Sequence, residues 1–336
     1  MTELSERPRS RAREIASAFW HHEVAPLLIV LIALIFVMGG ATRGLTLSRA
    51  NAFNVLLQSS IRGITSLGQA FVILTAGIDV SVGGNALFCS VLGAGFMTQN
   101  WQNINPLGFP LPIAVGAIIM VLAGLGWGAF NGFFVSKVGI PALIVTLGLW
   151  QILTGMAFRV SSGRAIGWLP DSIIWWGAGT VAGVPVPVII FIIAAIIVYF
   201  VLTYTTFGRS VYAVGGNPTS AWLSGIKVNT ILFAVYCIAG FFSGLSAFFM
   251  LGRIQSASMR SLQGLELDSI AAATIGGISL MGGRGNILGV IIGALIIGVV
   301  NNGMSVLNAD PSVYGIIKGS IIIMAVTIDF VRRRRA

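Results

Sequence analysis

Charge is scarce in this sequence. Only 9% of its 336 residues are Asp, Glu, Lys or Arg, against roughly 25% in soluble domains, while 56% are hydrophobic. A soluble fold of this length needs more charge to cover its surface, and a disordered chain carries far less apolar content. Histidine is confined to His21 and His22, so nucleophilic catalysis has no histidine base beyond residue 22. The adjacent pair, followed by Glu23, points to an interfacial anchor rather than a metal site, since neighbouring side chains on a helix diverge. No Gly-Lys dipeptide occurs, which removes the phosphate-binding loop and with it ATP hydrolysis by this chain alone. Cys89 and Cys237 both lie in apolar stretches, which argues against a disulfide and says nothing of compartment.

Cations outnumber acids by 20 to 10, but their placement argues against a nucleic-acid partner. Arg7, Arg9, Arg11 and Arg13 crowd one end and Arg332, Arg333, Arg334 and Arg335 the other, with long uncharged runs between. Such ends read as membrane-flanking anchors on the cytoplasmic side. Residues 1–20 are too polar for a secretory signal, so the first apolar run is read as a retained span.

A span needs about 20 apolar residues. Candidate spans cover about 24–41, 54–77, 84–97, 113–135, 142–158, 188–204, 230–251, 265–281, 287–307 and 313–331. The eighth is the weakest, with Glu266 and Asp268 at its start and Gly276-Gly277 within it; a re-entrant segment is the alternative. Residues 99–112 and 159–187 read as extramembrane loops, the second with Trp175 and Trp176 as an interfacial patch. With the N-terminus inside, twelve cations fall on the inner side: the eight terminal arginines, Lys137, Arg209, Lys227 and Arg284. Six fall outside: Arg43, Arg49, Arg159, Arg164, Arg253 and Arg260; Arg62 and Lys318 remain within spans. The expected fold is all-α, a polytopic integral membrane helical bundle of about ten transmembrane segments with both termini cytoplasmic. Residues 1–23 form a basic cytoplasmic segment, 24–331 the transmembrane domain and 332–336 a basic cytoplasmic tail.

Glycine, with 43 residues, is about twice its usual share. The four-residue spacings Gly124/Gly128, Gly240/Gly244 and Gly289/Gly293 suit close helix approach in lipid. Polar residues within the spans mark a solute path or helix contacts. Asp79 and Ser81 sit in a glycine-bounded break, and Gln58, Gln69, Asn131, Asn301 and Asn302 add uncharged hydrogen-bonding groups. Amides and hydroxyls suit a neutral polyhydroxylated solute better than an ion. Residues 205–229 form the longest inner polar stretch, where Asn217-Pro218 reads as a helix start and Gly225 as its end about two turns later.

The run from Gly208-Arg209 through Tyr212-Ala213-Val214-Gly215-Gly216-Asn217 to Ser224-Gly225-Ile226 resembles the cytoplasmic signature of permease subunits of sugar ABC importers of the ribose, xylose and arabinose type. Three further stretches match in order: Val72-Ile73-Leu74-Thr75-Ala76-Gly77-Ile78-Asp79-Val80-Ser81-Val82-Gly83; Leu265-Glu266-Leu267-Asp268-Ser269-Ile270-Ala271-Ala272 into Gly276-Gly277; and Gly282-Gly283-Arg284-Gly285 into Asn301-Asn302-Gly303. Trp222 stands where an arginine is frequent, and Pro218 is less usual. The resemblance implies a non-enzymatic bacterial inner-membrane permease, paired with a second copy or a sister permease. It also implies a cytoplasmic ATPase subunit, which carries the ATP and Mg, and a periplasmic sugar-binding protein. Arg209, Gly215, Gly216, Asn217, Trp222, Leu223, Ser224 and Gly225 are then the ATPase-coupling candidates. An ion-coupled carrier or channel for a small polar solute is the rival class, but it would want carboxylates near mid-membrane.

Overall fold

The computed structural model describes residues 24–99 and 107–335. The basic segment 1–23 with His21 and His22, most of the polar loop after residue 99, and Ala336 lie outside the described residues. The chain runs through thirteen helices among the described residues: α1 Ala25–Ala41, α2 Arg49–Leu74, α3 Ser81–Met97, α4 Ile113–Phe133, α5 Ala142–Ser161, α6 Ile173–Ala178, α7 Val186–Tyr204, α8 Thr206–Gly216, α9 Pro218–Leu223, α10 Val228–Ile254, α11 Leu265–Ile275, α12 Ile287–Val306 and α13 Pro311–Arg335. The expected loop over 159–187 holds α6 and a two-residue antiparallel hairpin, Thr180–Val181 with Val184–Pro185.

Among the described residues five helices are long and apolar enough to cross a membrane: Ile113–Val138, in which α4 continues through one π turn, Ala142–Ser161, Val186–Tyr204, Val228–Ile254 and Ile287–Val306. α1 and α3 are apolar but only 17 residues long. α2, at 26 residues, is long enough but polar, carrying Gln58, Ser59, Ser60, Arg62, Thr65, Ser66 and Gln69. Its C-terminal half is enclosed, with every residue from Gly63 to Leu74 buried. Its polar side chains therefore face neighbouring helices, the one place in a bilayer where such groups find partners.

Within 265–281, expected as a span or a re-entrant segment, the helix is the 11-residue α11, about 16 Å long against about 30 Å of hydrocarbon. Gly276-Gly277 ends it, with Gly277 at φ +89°. The glycine spacings do what lipid packing asks of them: Gly124 and Gly128 of α4 lie directly on Gly240 and Gly244 of α10. A Cβ at any of the four would collide with the facing backbone, so the two helices cross at backbone contact. This is the most extensive helix contact in the bundle.

Two ends of the bundle can be told apart by their contacts. At one, the end of α2 meets α8 and the 278–286 turn, where the Gly283 N–H donates to the Leu74 carbonyl at 2.9 Å. At the other, Gly177 of α6 lies on Gly252 of α10, Ile166 pairs with Ala257, and Thr98 donates to the Gly167 carbonyl at 2.8 Å. α10 joins the two ends.

Candidate functional site

The stretch 205–229 folds as two short helices on the surface. The Thr205 hydroxyl accepts from the Gly208 N–H at 3.1 Å, which starts α8 where the sequence showed only a polar run. Tyr212 fastens α8 to the bundle by donating to the Gly285 carbonyl at 2.9 Å. Gly215 is buried against the Leu74 carbonyl and Gly283, closer than any side chain permits. Asn217 leaves the helical conformation at φ −158°, and its side-chain oxygen accepts from the Ser220 N–H at 2.9 Å. Pro218 then occupies the first position of α9, and Gly225 at φ +85° closes it. Cap, proline and terminal glycine all fall where the sequence places them.

α9 presents its large apolar residues to solvent, with Trp222 67% and Leu223 72% exposed. Arg209, Gly216, Asn217, Ser224 and Gly225 are exposed around them, so only Gly215 among the coupling candidates faces inward. α8 thus carries a buried foot at the end of α2 and α9 an exposed apolar tip, the two helices joined through Asn217.

The path candidates fall into separate groups. Asp79 is 1% exposed in the break between α2 and α3. Its Oδ1 accepts from the Ser81 N–H at 2.8 Å, the Ser81 hydroxyl at 2.6 Å and Asn131 Nδ2 at 3.4 Å. Asn131 also donates to the Ser81 hydroxyl oxygen at 2.7 Å. Gln69, in the amide orientation that satisfies both neighbours, donates to the Asp79 carbonyl at 3.1 Å and accepts from its N–H at 3.2 Å. Four candidates thus form one buried knot. Asn301 instead donates to Asp268 at 3.2 Å, and Asn302 exchanges hydrogen bonds with Asn51 at 2.8 and 2.9 Å. Gln58 stands apart, half-buried on α2.

One cluster escaped the sequence reading. Arg62, Asp268 and Lys318 converge: Arg62 Nη1 donates to Asp268 Oδ2, and Lys318 Nζ lies 2.8 Å from Oδ1. The signal was two cations left without a place inside spans, since an ion in hydrocarbon needs a partner. Glu266, in the first turn of α11, lies against Gly83 in the first turn of α3, so these two helices start beside each other within the bundle. Among the described residues no group of three His, Cys, Asp or Glu side chains could hold a metal, and both cysteines are free.

Residues 51–326 match the family model described as branched-chain amino acid transport system / permease component. The ribose import permease protein RbsC of Escherichia coli K12 is 35% identical over 314 residues, 92% of this chain and 94% of that protein. The D-allose transport system permease protein AlsC of the same strain is 34% identical over 311 residues, 93% and 92% of the two chains. The fructose import permease protein FrcC of Rhizobium meliloti is 36% identical over 324 residues, 93% and 86%. No solved structure matches. Such relatives and several apolar helices make this a multi-pass membrane protein. With the family model covering most of the sequence, the chain belongs to this family of transport-system permease components.

Proposed function

We propose that the chain is the membrane-spanning subunit of an ATP-binding-cassette importer in the bacterial inner membrane, passing a monosaccharide or similar neutral polyol. The relatives named for ribose, allose and fructose support a sugar. The observation that carries the mechanism is the docking segment: Trp222 and Leu223 exposed on α9, with Gly215 seated on the end of α2. A cytoplasmic ATPase subunit, holding ATP and Mg, would grip the exposed pair and move α8, α9 and the α2 end together. Sugar would arrive from a periplasmic binding protein and pass beside a second permease copy or sister permease.

The topology that goes with this reading has ten crossings and both termini cytoplasmic. α3 and α11 would each complete a crossing together with the irregular stretch before them, residues 75–80 and 255–264. The twelve-to-six cation distribution supports this orientation. Exposed Asp171 precedes α6 at one end of α10, and exposed Ser220 lies in α9 at the other. Cysteines at 171 and 220 should label from outside and inside respectively; labelling of both from one side overturns the topology.

The knot of Asp79, Ser81, Gln69 and Asn131 would hold the α2–α3 break in place beside the path, because its polar groups already bond one another. Gln58, half-buried, is the path candidate best placed to meet solute. Growth of a deletion strain on ribose, allose, fructose, xylose and arabinose tests the function. Loss on at least one sugar, restored by the gene, is expected, whereas unimpaired growth on all of them contradicts it.

A further inference from the structure

Resting on the permease reading, we propose that Asp268 is a positioning residue: it latches α11 to its neighbours and ties that helix's position to the docking segment. α11 starts inside the bundle, and its Asp268 side chain is 1% exposed. Three groups from three other helices hold the carboxylate: Arg62 of α2, Lys318 of α13 and Asn301 of α12. The acid is enclosed, while the Arg62 and Lys318 side chains remain 24% and 15% exposed, so the cations reach in to a fixed anion. Removing a buried partner leaves an uncompensated charge, so α11 has one strongly preferred position while these pairs are made.

The other end of α11 leads into the 278–286 turn. There the Gly283 N–H donates to the Leu74 carbonyl, Tyr212 of α8 donates to the Gly285 carbonyl, and Gly215 packs between. A displacement of α8 therefore bears on this turn and, through it, on α11. Ala272 of α11 and Gly276, just past its end, lie against Gly293 and Gly289 of α12 at backbone contact, so α11 moves only with a change in how it meets α12. Glu266 abuts Gly83 of α3, so a shift of α11 changes how the two internal helix starts meet. An ion cluster that holds one end of α11 and a turn that ties its other end to α8 give one contiguous route by which the docking segment and the bundle interior can be coupled.

The test reconstitutes the permease with its ATPase subunit and binding protein in liposomes and measures sugar imported per ATP hydrolysed. Asp268→Asn should lower this ratio about tenfold, an ordinary coupling magnitude, while the ATPase still co-purifies. Asp268→Glu, which keeps the charge, should recover most of it. An unchanged ratio in Asp268→Asn, or equal losses in the Asn and Glu variants, overturns the latch. Should Asp268→Asn fail to accumulate in membranes, Lys318→Gln is read in its place, with a lowered ratio expected and an unchanged one contradicting. Wild-type complex that imports no sugar with ATP would defeat the permease reading instead, so the two failures are distinguishable.

Discussion

Asn217 and Asp79 do the same local job at opposite depths. Each sits beside the start of a helix after a break and offers a side-chain oxygen to a backbone N–H a few residues on, Ser220 at 2.9 Å and Ser81 at 2.8 Å. Asn217 is exposed, and its short helix lifts Trp222 and Leu223 into solvent. Asp79 is enclosed, and Asn131 and Gln69 bond to it or to Ser81, while Asn131 Oδ1 and the nearby Tyr236 hydroxyl are buried without a hydrogen-bond partner. A side-chain oxygen beside a helix start thus accompanies an exposed apolar surface in one place and an enclosed polar joint in the other. The two are mechanically joined, because Gly215 rests on the Leu74 carbonyl five residues before Asp79.

The largest effect should come from breaking that join. Gly215→Val places a branched side chain into the Leu74 carbonyl and Gly283, and the resulting shift costs about 1–3 kcal/mol. Uptake should fall by two orders of magnitude or more if α8 lifts off the bundle, an energy-to-rate conversion of about 2.7 kcal/mol, while the protein still inserts. Near-normal uptake would show that the foot of the docking segment is not the point of transmission.

Next comes the tip of the segment. The Trp222→Ala, Leu223→Ala double variant should lose about 2 kcal/mol or more of docking energy, read as failure of the ATPase subunit to co-purify. Undiminished co-purification and uptake would put the coupling surface elsewhere.

The joint itself should be more forgiving of a lost charge. All three hydrogen bonds from Ser81 and Asn131 go to one oxygen, Asp79 Oδ1, which an amide reproduces. Asp79→Asn should therefore keep measurable ATP-driven uptake, whereas Asp79→Ala strands those donors at about 1–3 kcal/mol. Abolished uptake in a normally inserted Asn variant would show that the charge itself is essential.

The smallest effect belongs to Asp310, exposed before α13. Hydrogen bonds from the Ser312 hydroxyl and N–H hold its carboxyl below the usual range. Its lowered value means that any stabilisation is complete above the ordinary Asp pKa and disappears as pH falls through the lowered one. Asp310→Ala should leave uptake at pH 7 unchanged, and a marked loss would reveal a role beyond the local turn.

Much of this was legible where the cause is local. Asn217, Pro218 and Gly225 mark α9 because caps and terminators act over a few residues, and the glycine-bounded run before Ser81 marks the break for the same reason. The glycine pairs of α4 and α10 announced a close crossing, though not which helices met. α8 was missed, since Thr205 and the two glycines at its end read equally well as a polar turn. α11 was overextended because apolar residues continue past Gly276-Gly277 into a turn buried by tertiary contacts. The ion cluster was invisible as a unit: Arg62 and Asp268 are 206 positions apart, and nothing local to either names the other. Assigning amides one by one to a path also concealed that Gln69 and Asn131 serve the same aspartate.

The central claim is that ATP, acting through a separate subunit on the docking segment, drives sugar through this bundle. Its most direct test is uptake of labelled sugar into liposomes holding the permease and its ATPase, with ATP sealed inside and loaded binding protein outside. The account predicts uptake that requires both ATP and binding protein and disappears in the Trp222→Ala, Leu223→Ala variant. Uptake driven by an ion gradient alone, without either, would contradict it.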